Sequence, residues 1–154
     1  MNITQLGILR TIFIFFFLII AFIVSEYSFQ KDTYNYLQTI SEWEGGGFNI
    51  LTRTYFFIGF VSYLDTLSFL TGVQVMHAFI ASVIAVFFSR IVRTPLDALL
   101  ILTLAVSPLL SDNYRGVIRQ GFGFSLFLIG LMVSNKPIKS IFFLFSFFIH
   151  NLLS

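Results

Sequence analysis

Long apolar stretches separated by short polar breaks set the pattern of this chain. Residues 6–24 form the first apolar run, with Arg10 near its start and Ser25, Glu26 and Tyr27 after its end. Its length matches the roughly 20 residues that cross a bilayer. No small-residue cleavage pattern follows it, so a retained span is expected rather than a secretory signal. Residues 49–71 are apolar but broken by Arg53, Gly59 and Asp65, whereas 73–88 is a cleaner run closed by Arg90 and Arg93. Pro95 stops that helix, and 96–110 is the next run, ending around Pro108. Two more, 121–133 and the Phe-rich 141–153, flank Asn135, Lys136, Pro137, Ile138 and Lys139. The pattern predicts an all-α, polytopic integral membrane protein, a single transmembrane domain over residues 1–154 with about five to six hydrophobic helices, one of them re-entrant or interfacial. The last run reaches Leu153 with only Ser154 beyond it, so the domain is expected to be incomplete at its C-terminus.

Composition strengthens this reading. The 154 residues are 57% hydrophobic and 10% charged, with 22 Phe, and the mean hydropathy is +0.92. No soluble domain has an interior large enough to hide that much apolar surface. A formal net charge of +2 is too small to point to nucleic acid. The lack of cysteine removes disulfides, thiolate metal ligands and cysteine nucleophiles together. Two His and a few scattered carboxylates make no metal-ligand cluster, so neither metal nor cofactor is expected.

Charge then orients the spans. Residues 25–48 carry Glu26, Asp32, Glu42 and Glu44 against Lys31 alone, which suits the outer side and leaves the N-terminus in the cytoplasm. Arg90, Arg93, Lys136 and Lys139 belong on the cytoplasmic side by the same rule, which sends Arg115 and Arg119 outside. A full crossing by 49–71 would separate the acidic loop from those arginines. A charge at the bilayer centre costs about 2.5 to 3.5 kcal/mol on insertion scales, so Arg53 and Asp65 favour a partial insertion or tight hairpin, and a shared outer face. Asp97, two residues after Pro95, reads as a helix-start acid on the cytoplasmic side. Gln74 and His77 share a helix face and are expected to hydrogen-bond a neighbouring helix, a contact worth about 0.6 kcal/mol.

The candidate chemistry lies in two polar stretches. One is the island from Ser111 and Asp112 through Asn113, Tyr114, Arg115 and Gly116 to Arg119, Gln120 and Gly121. Arg115 and Arg119 are four apart, so on a helix they share a face. Guanidinium is always charged and grips phosphate oxygens in a bidentate fork, although arginines at such a position also anchor a helix end in the headgroup layer. The other stretch runs from Asp32, Tyr34 and Tyr36 to Glu42, Trp43, Glu44 and the glycines Gly45, Gly46 and Gly47. Tyr34, Tyr36 and Trp43 fit the aromatic belt of a membrane interface. The glycines allow a tight turn or close backbone approach, without the strand and helix context of a phosphate loop. Near the end, Ser146 and His150 lie one helical turn apart and suit an interhelical hydrogen-bond pair.

In order, these features resemble the EpsG-like, Wzy-type family of bacterial polysaccharide polymerases, which make O-antigen, capsule or exopolysaccharide. The resemblance rests on Asp32 with Tyr36 after a first span, then Glu44, the three glycines and Phe48. Further on come Arg119 and Gln120 opening a helix, Lys136 and Lys139 in the next loop, and His150 in the helix after it. Where the family commonly has Glu-Pro-Gly this chain has Glu44-Gly45-Gly46-Gly47, and Leu152 stands where a small hydroxyl residue is frequent.

The resemblance implies metal-independent transfer between undecaprenyl-pyrophosphate-linked repeat units at the outer face of the bacterial inner membrane. A hydroxyl of one repeat attacks the anomeric carbon of the glycan on another carrier, and the lipid diphosphate leaves. Arg115, Arg119 and Gln120 are then the diphosphate-binding residues, and His150, Asp32 and Glu44 the candidates for proton transfer. The implied partners are the lipid-linked glycan, membrane lipid and other polysaccharide-assembly proteins. Two alternatives remain open from the residues themselves. One is a small transporter or channel subunit with Arg115, Arg119, Gln74 and His77 along an anion path. The other is a non-catalytic membrane scaffold.

Overall fold

The computed structural model describes residues 2–27, 63, 72–107 and 118–151. The described residues form five helices and no strand: α1 (Ile3–Tyr27), α2 (Gly72–Ser89), α3 (Pro95–Val106), α4 (Ile118–Met132) and α5 (Lys136–Asn151). The chain is therefore all-α in these regions, as the run pattern predicts. The interrupted stretch 49–71 lies outside the described residues, apart from Tyr63.

Helix ends follow hydrogen bonds more closely than hydropathy. At α1 the Asn2 N–H donates to Gln5 Oε1 (3.1 Å) and the Gln5 N–H to Asn2 Oδ1 (2.8 Å), a reciprocal pair that starts the helix before the apolar run does. At α3, Thr94 Oγ1 accepts from the Asp97 N–H (3.2 Å), and Asp97 Oδ2 accepts from the N–H groups of Thr94 (2.8 Å) and Arg93 (3.0 Å). Asp97 is thus the helix-start acid expected from its place after Pro95. Helix α5 starts at Lys136, five residues ahead of the hydrophobic run expected at 141, with Asn135 Oδ1 accepting from the Ile138 N–H at 3.3 Å. Likewise α4 begins at Ile118, ahead of the run expected at 121, so Arg119 and Gln120 belong to the helix itself.

Four of the five described helices bury residues in a common core, and α5 packs on α4 half-buried. Phe13, Phe17 and Ala21 of α1 recur every fourth residue and meet Met76, Ile80, Ala81, Ile84 and Ala85 of α2. Ala98, Ile101 and Ala105 do the same on α3, and Leu128 joins from α4. Alanines in these stripes let backbones approach closely. The main contacts pair α3 with α1, α1 with α2, α2 with α4, and α4 with α5, so the spatial order differs from the chain order. Facing outward are Ile8, Ile12, Phe15, Phe16 and Phe22 on α1, Leu99, Leu100 and Leu104 on α3, and Leu144, Phe145, Phe147 and Phe148 on α5. Five helix hydroxyls are satisfied locally: Thr11, Ser82, Thr103, Ser125 and Ser140 each donate to the carbonyl four residues back.

The α4/α5 hairpin is the tightest contact. A Cβ built on Gly130 would stand 2.7 Å from Phe143 Cε1 and 3.3 Å from Phe142 Cβ, whereas one on Gly123 meets Ile149 Cγ2 at 3.4 Å. Overpacking costs about 1–3 kcal/mol, while removing a helical glycine returns up to about 1 kcal/mol. Gly130→Val is therefore expected to lower the unfolding midpoint clearly, and Gly123→Ala to leave it unchanged or raise it. Equal effects of the two would show that the close approach at Gly130 does not decide stability.

Arg10 ties the first helix to the connection between α2 and α3. Its Nε donates to the Val92 carbonyl (3.2 Å) and a terminal nitrogen to that of Arg90 (3.0 Å), while Arg90 reaches the Met132 carbonyl at the end of α4 (3.5 Å). Hydrogen bonds to charged groups contribute about 1.5–3 kcal/mol. Arg10→Leu should cost about that much in denaturant unfolding. Arg10→Lys should recover only part, because one ammonium lacks the planar fork that spans two carbonyls.

Candidate functional site

Those arginine contacts define one end of the bundle. It holds the N-terminal part of α1, the C-terminus of α2, the start of α3 and the connection from α4 to α5. Arg10, Arg90, Arg93, Lys136 and Lys139 all belong to it. Because α1 starts there and α2 finishes there, the two helices run antiparallel, and Tyr27 and Gly72 lie at the opposite end. Helix α4 runs parallel to α2: Met132 sits by Arg90, and ten residues earlier Phe122 stacks on Phe79 with ring centroids 5.8 Å apart. Ile118 is accordingly at the opposite end too. Helix α3 leaves the basic end alongside α1, and Val106 faces the same way as Tyr27.

The register of the hairpin places the last piece. Gly130 faces Phe142 and Phe143, Phe127 packs on Phe143 at 5.4 Å between centroids, and Gly123 faces Ser146 and Ile149. Continuing that antiparallel register brings the backbone of Arg119 and Gln120 level with that of His150 and Asn151. Tyr27, Gly72, Val106, Ile118 and Asn151 therefore all terminate their helices on the side away from the basic end, and each stretch carrying a candidate site residue leaves from that side or returns to it. No family model, curated protein or solved structure matches this chain. The reading of the site rests on residues and geometry.

Of the candidates, Arg119 and His150 lie on neighbouring helices at this end, and Gln120 beside Arg119 is exposed. Asp32, Glu44 and Arg115 lie outside the described residues, on stretches whose described flanks are at this same end. Arg119 occupies the first turn of α4, where backbone N–H groups have no intrahelical acceptor and the helix dipole favours negative charge. No acidic residue stands in that turn to occupy them.

Two sequence expectations change at the level of hydrogen bonds. Ser146 Oγ donates across the hairpin to the Gly123 carbonyl at 2.8 Å, so its interhelical partner is a backbone oxygen that only the close approach at a glycine exposes. His77 was expected to bond a neighbouring helix. Its Nε2 is instead buried with no hydrogen-bond partner among the described residues. Sequence reasoning also missed the brace made by Arg10. The available signal was a lone arginine one turn inside an apolar run, where a guanidinium must find carbonyl oxygens.

Proposed function

We propose that this chain is a multi-pass protein of the bacterial inner membrane and part of a polysaccharide polymerase resembling the EpsG-like, Wzy-type family. In this reading it transfers glycans between undecaprenyl-pyrophosphate-linked repeat units at the outer face. One observation carries it: the flanks of every candidate residue meet at one end of the bundle, away from the basic end. By the preference of cytoplasmic loops for Arg and Lys, the basic end faces the cytoplasm and the other faces outward. Helix α1 is long and apolar enough to cross a membrane over Ile3–Ile23, and the outward Phe, Leu and Ile of α1, α3 and α5 suit a lipid surround.

The chemistry follows from the leaving group. Departure of a lipid diphosphate concentrates negative charge, and Arg119 within the first turn of α4 combines a guanidinium with backbone N–H groups that have no intrahelical acceptor. Gln120 offers a neutral donor beside it, and Arg115 a second cation. His150, level with them on α5, is the residue best suited by type to take the proton of the attacking hydroxyl. Asp32 or Glu44 would orient that hydroxyl. A charged path through the bilayer, which a transporter would need, has no support in the described helices, whose charged residues stand at their ends: Arg10, Arg90, Arg93, Asp97, Lys136 and Lys139 at the basic end, Glu26 and Arg119 at the other. The test is genetic and chemical together. Cells lacking the gene are expected to accumulate lipid carriers bearing a single repeat, and restoring it should restore long chains. Unchanged chain length in the deletion would sink the proposal.

A further inference from the structure

We propose that Arg93, Lys136 and Lys139 form a binding site for the phosphate headgroups of anionic phospholipids, on the membrane face opposite the polymerase end. The cations at the basic end fall into two sets. Arg10 and Arg90 are committed to backbone carbonyls at 3.0–3.5 Å and hold the ends of α1, α2 and α4 together. Arg93, Lys136 and Lys139 make no side-chain hydrogen bond among the described residues. Asp97 stands near Arg93, but its carboxylate already accepts from two backbone N–H groups of the α3 cap, so it offsets this charge only in part.

Among the described residues the two lysines have no side-chain partner, and Arg93 has only the nearby Asp97. Lys136 and Lys139 lie in the first turn of α5, three apart and hence on one face, where the helix dipole disfavours positive charge. A bound anion removes that conflict. The contact between Arg90 and Met132 joins the two connections that carry Arg93 and the lysines, so the three charges share one end. Just above them the outward surface is apolar at Leu96, Ile138 and Ile141. Cations bordered by apolar side chains match an amphiphile with an anionic head and acyl tail better than a free anion.

This inference rests on the membrane reading but not on the sugar chemistry. Its test is native mass spectrometry of the full chain in mild detergent, offered equimolar phosphatidylglycerol and phosphatidylcholine at low salt. A surface cation contributes about fivefold to the attraction of anionic lipid, so the wild type is expected to retain phosphatidylglycerol by about ten- to a hundredfold over phosphatidylcholine. Arg93→Gln/Lys136→Gln/Lys139→Gln should abolish that preference. Should the triple variant fail to fold, Lys136→Gln and Lys139→Gln singly are expected to lower it by about fivefold each. Equal retention of both lipids by the wild type, or an unchanged preference in the variants, overturns the site. So does displacement of phosphatidylglycerol by millimolar inorganic phosphate, which would mark a free-anion site instead. Failure of the chain to float with liposomes of either lipid overturns the membrane reading itself and is seen separately.

Discussion

Arg119→Ala is expected to reduce long-chain polymer by about a hundred- to a thousandfold, the loss typical when one preorganised donor to a developing oxyanion is removed. The size of the effect follows from position. In the proposed site, a charge in the first turn of α4 would act with the N–H groups of that turn, which have no intrahelical acceptor, on the same phosphate oxygens, so its removal would take away the strongest member of the set. Arg119→Lys keeps the charge and loses the bidentate fork, and should recover only part of the activity. Gln120→Ala removes a neutral donor and should cost far less. Two readouts are needed, polymer length by gel and the amount of chain in the membrane fraction. If Arg119→Ala leaves polymer length unaltered at normal membrane levels, diphosphate recognition does not occur at this helix end. The anchor role would then be the correct one.

An all-or-none result is expected from labelling. The natural chain contains no cysteine, so a thiol introduced at Tyr34→Cys, Asn113→Cys or Lys139→Cys reports against no background. Tyr27 and Gly72 end and begin antiparallel helices at one end of the bundle, which requires the intervening stretch to start and finish on one side. Val106 and Ile118 impose the same on the arginine island. A membrane-impermeant maleimide added to intact cells should therefore label Tyr34→Cys and Asn113→Cys and leave Lys139→Cys unlabelled until the cells are opened. Labelling of Tyr34→Cys and Asn113→Cys from opposite sides would leave no common pocket for acid and base, and the transfer mechanism would fall with it.

These expectations draw unequally on the two levels of description. The five described helices and the start of α3 near Pro95 and Asp97 are legible in the sequence, because helix-start residues and the spacing of apolar positions act over one turn. Helix starts at Ile118 and Lys136 are less so, since hydropathy marks where a helix enters an apolar environment and not where its backbone bonds begin. The site was legible as a set of residue types, Arg119, Gln120 and His150 among them, with no means of saying which would meet.

What the sequence alone determined is the class of element and the sign of charge at each break, since both are local properties of side chains. Which helix lies beside which is decided by long-range packing: α1 sits between α2 and α3, and Gly130 admits Phe143 so that α5 folds back along α4. Only that packing carries Arg119 and His150 to one end and Arg10 to the carbonyls of Arg90 and Val92 at the other. The physical reason is that an apolar stripe specifies that a helix must be covered, while the shapes of the side chains on two stripes specify by what.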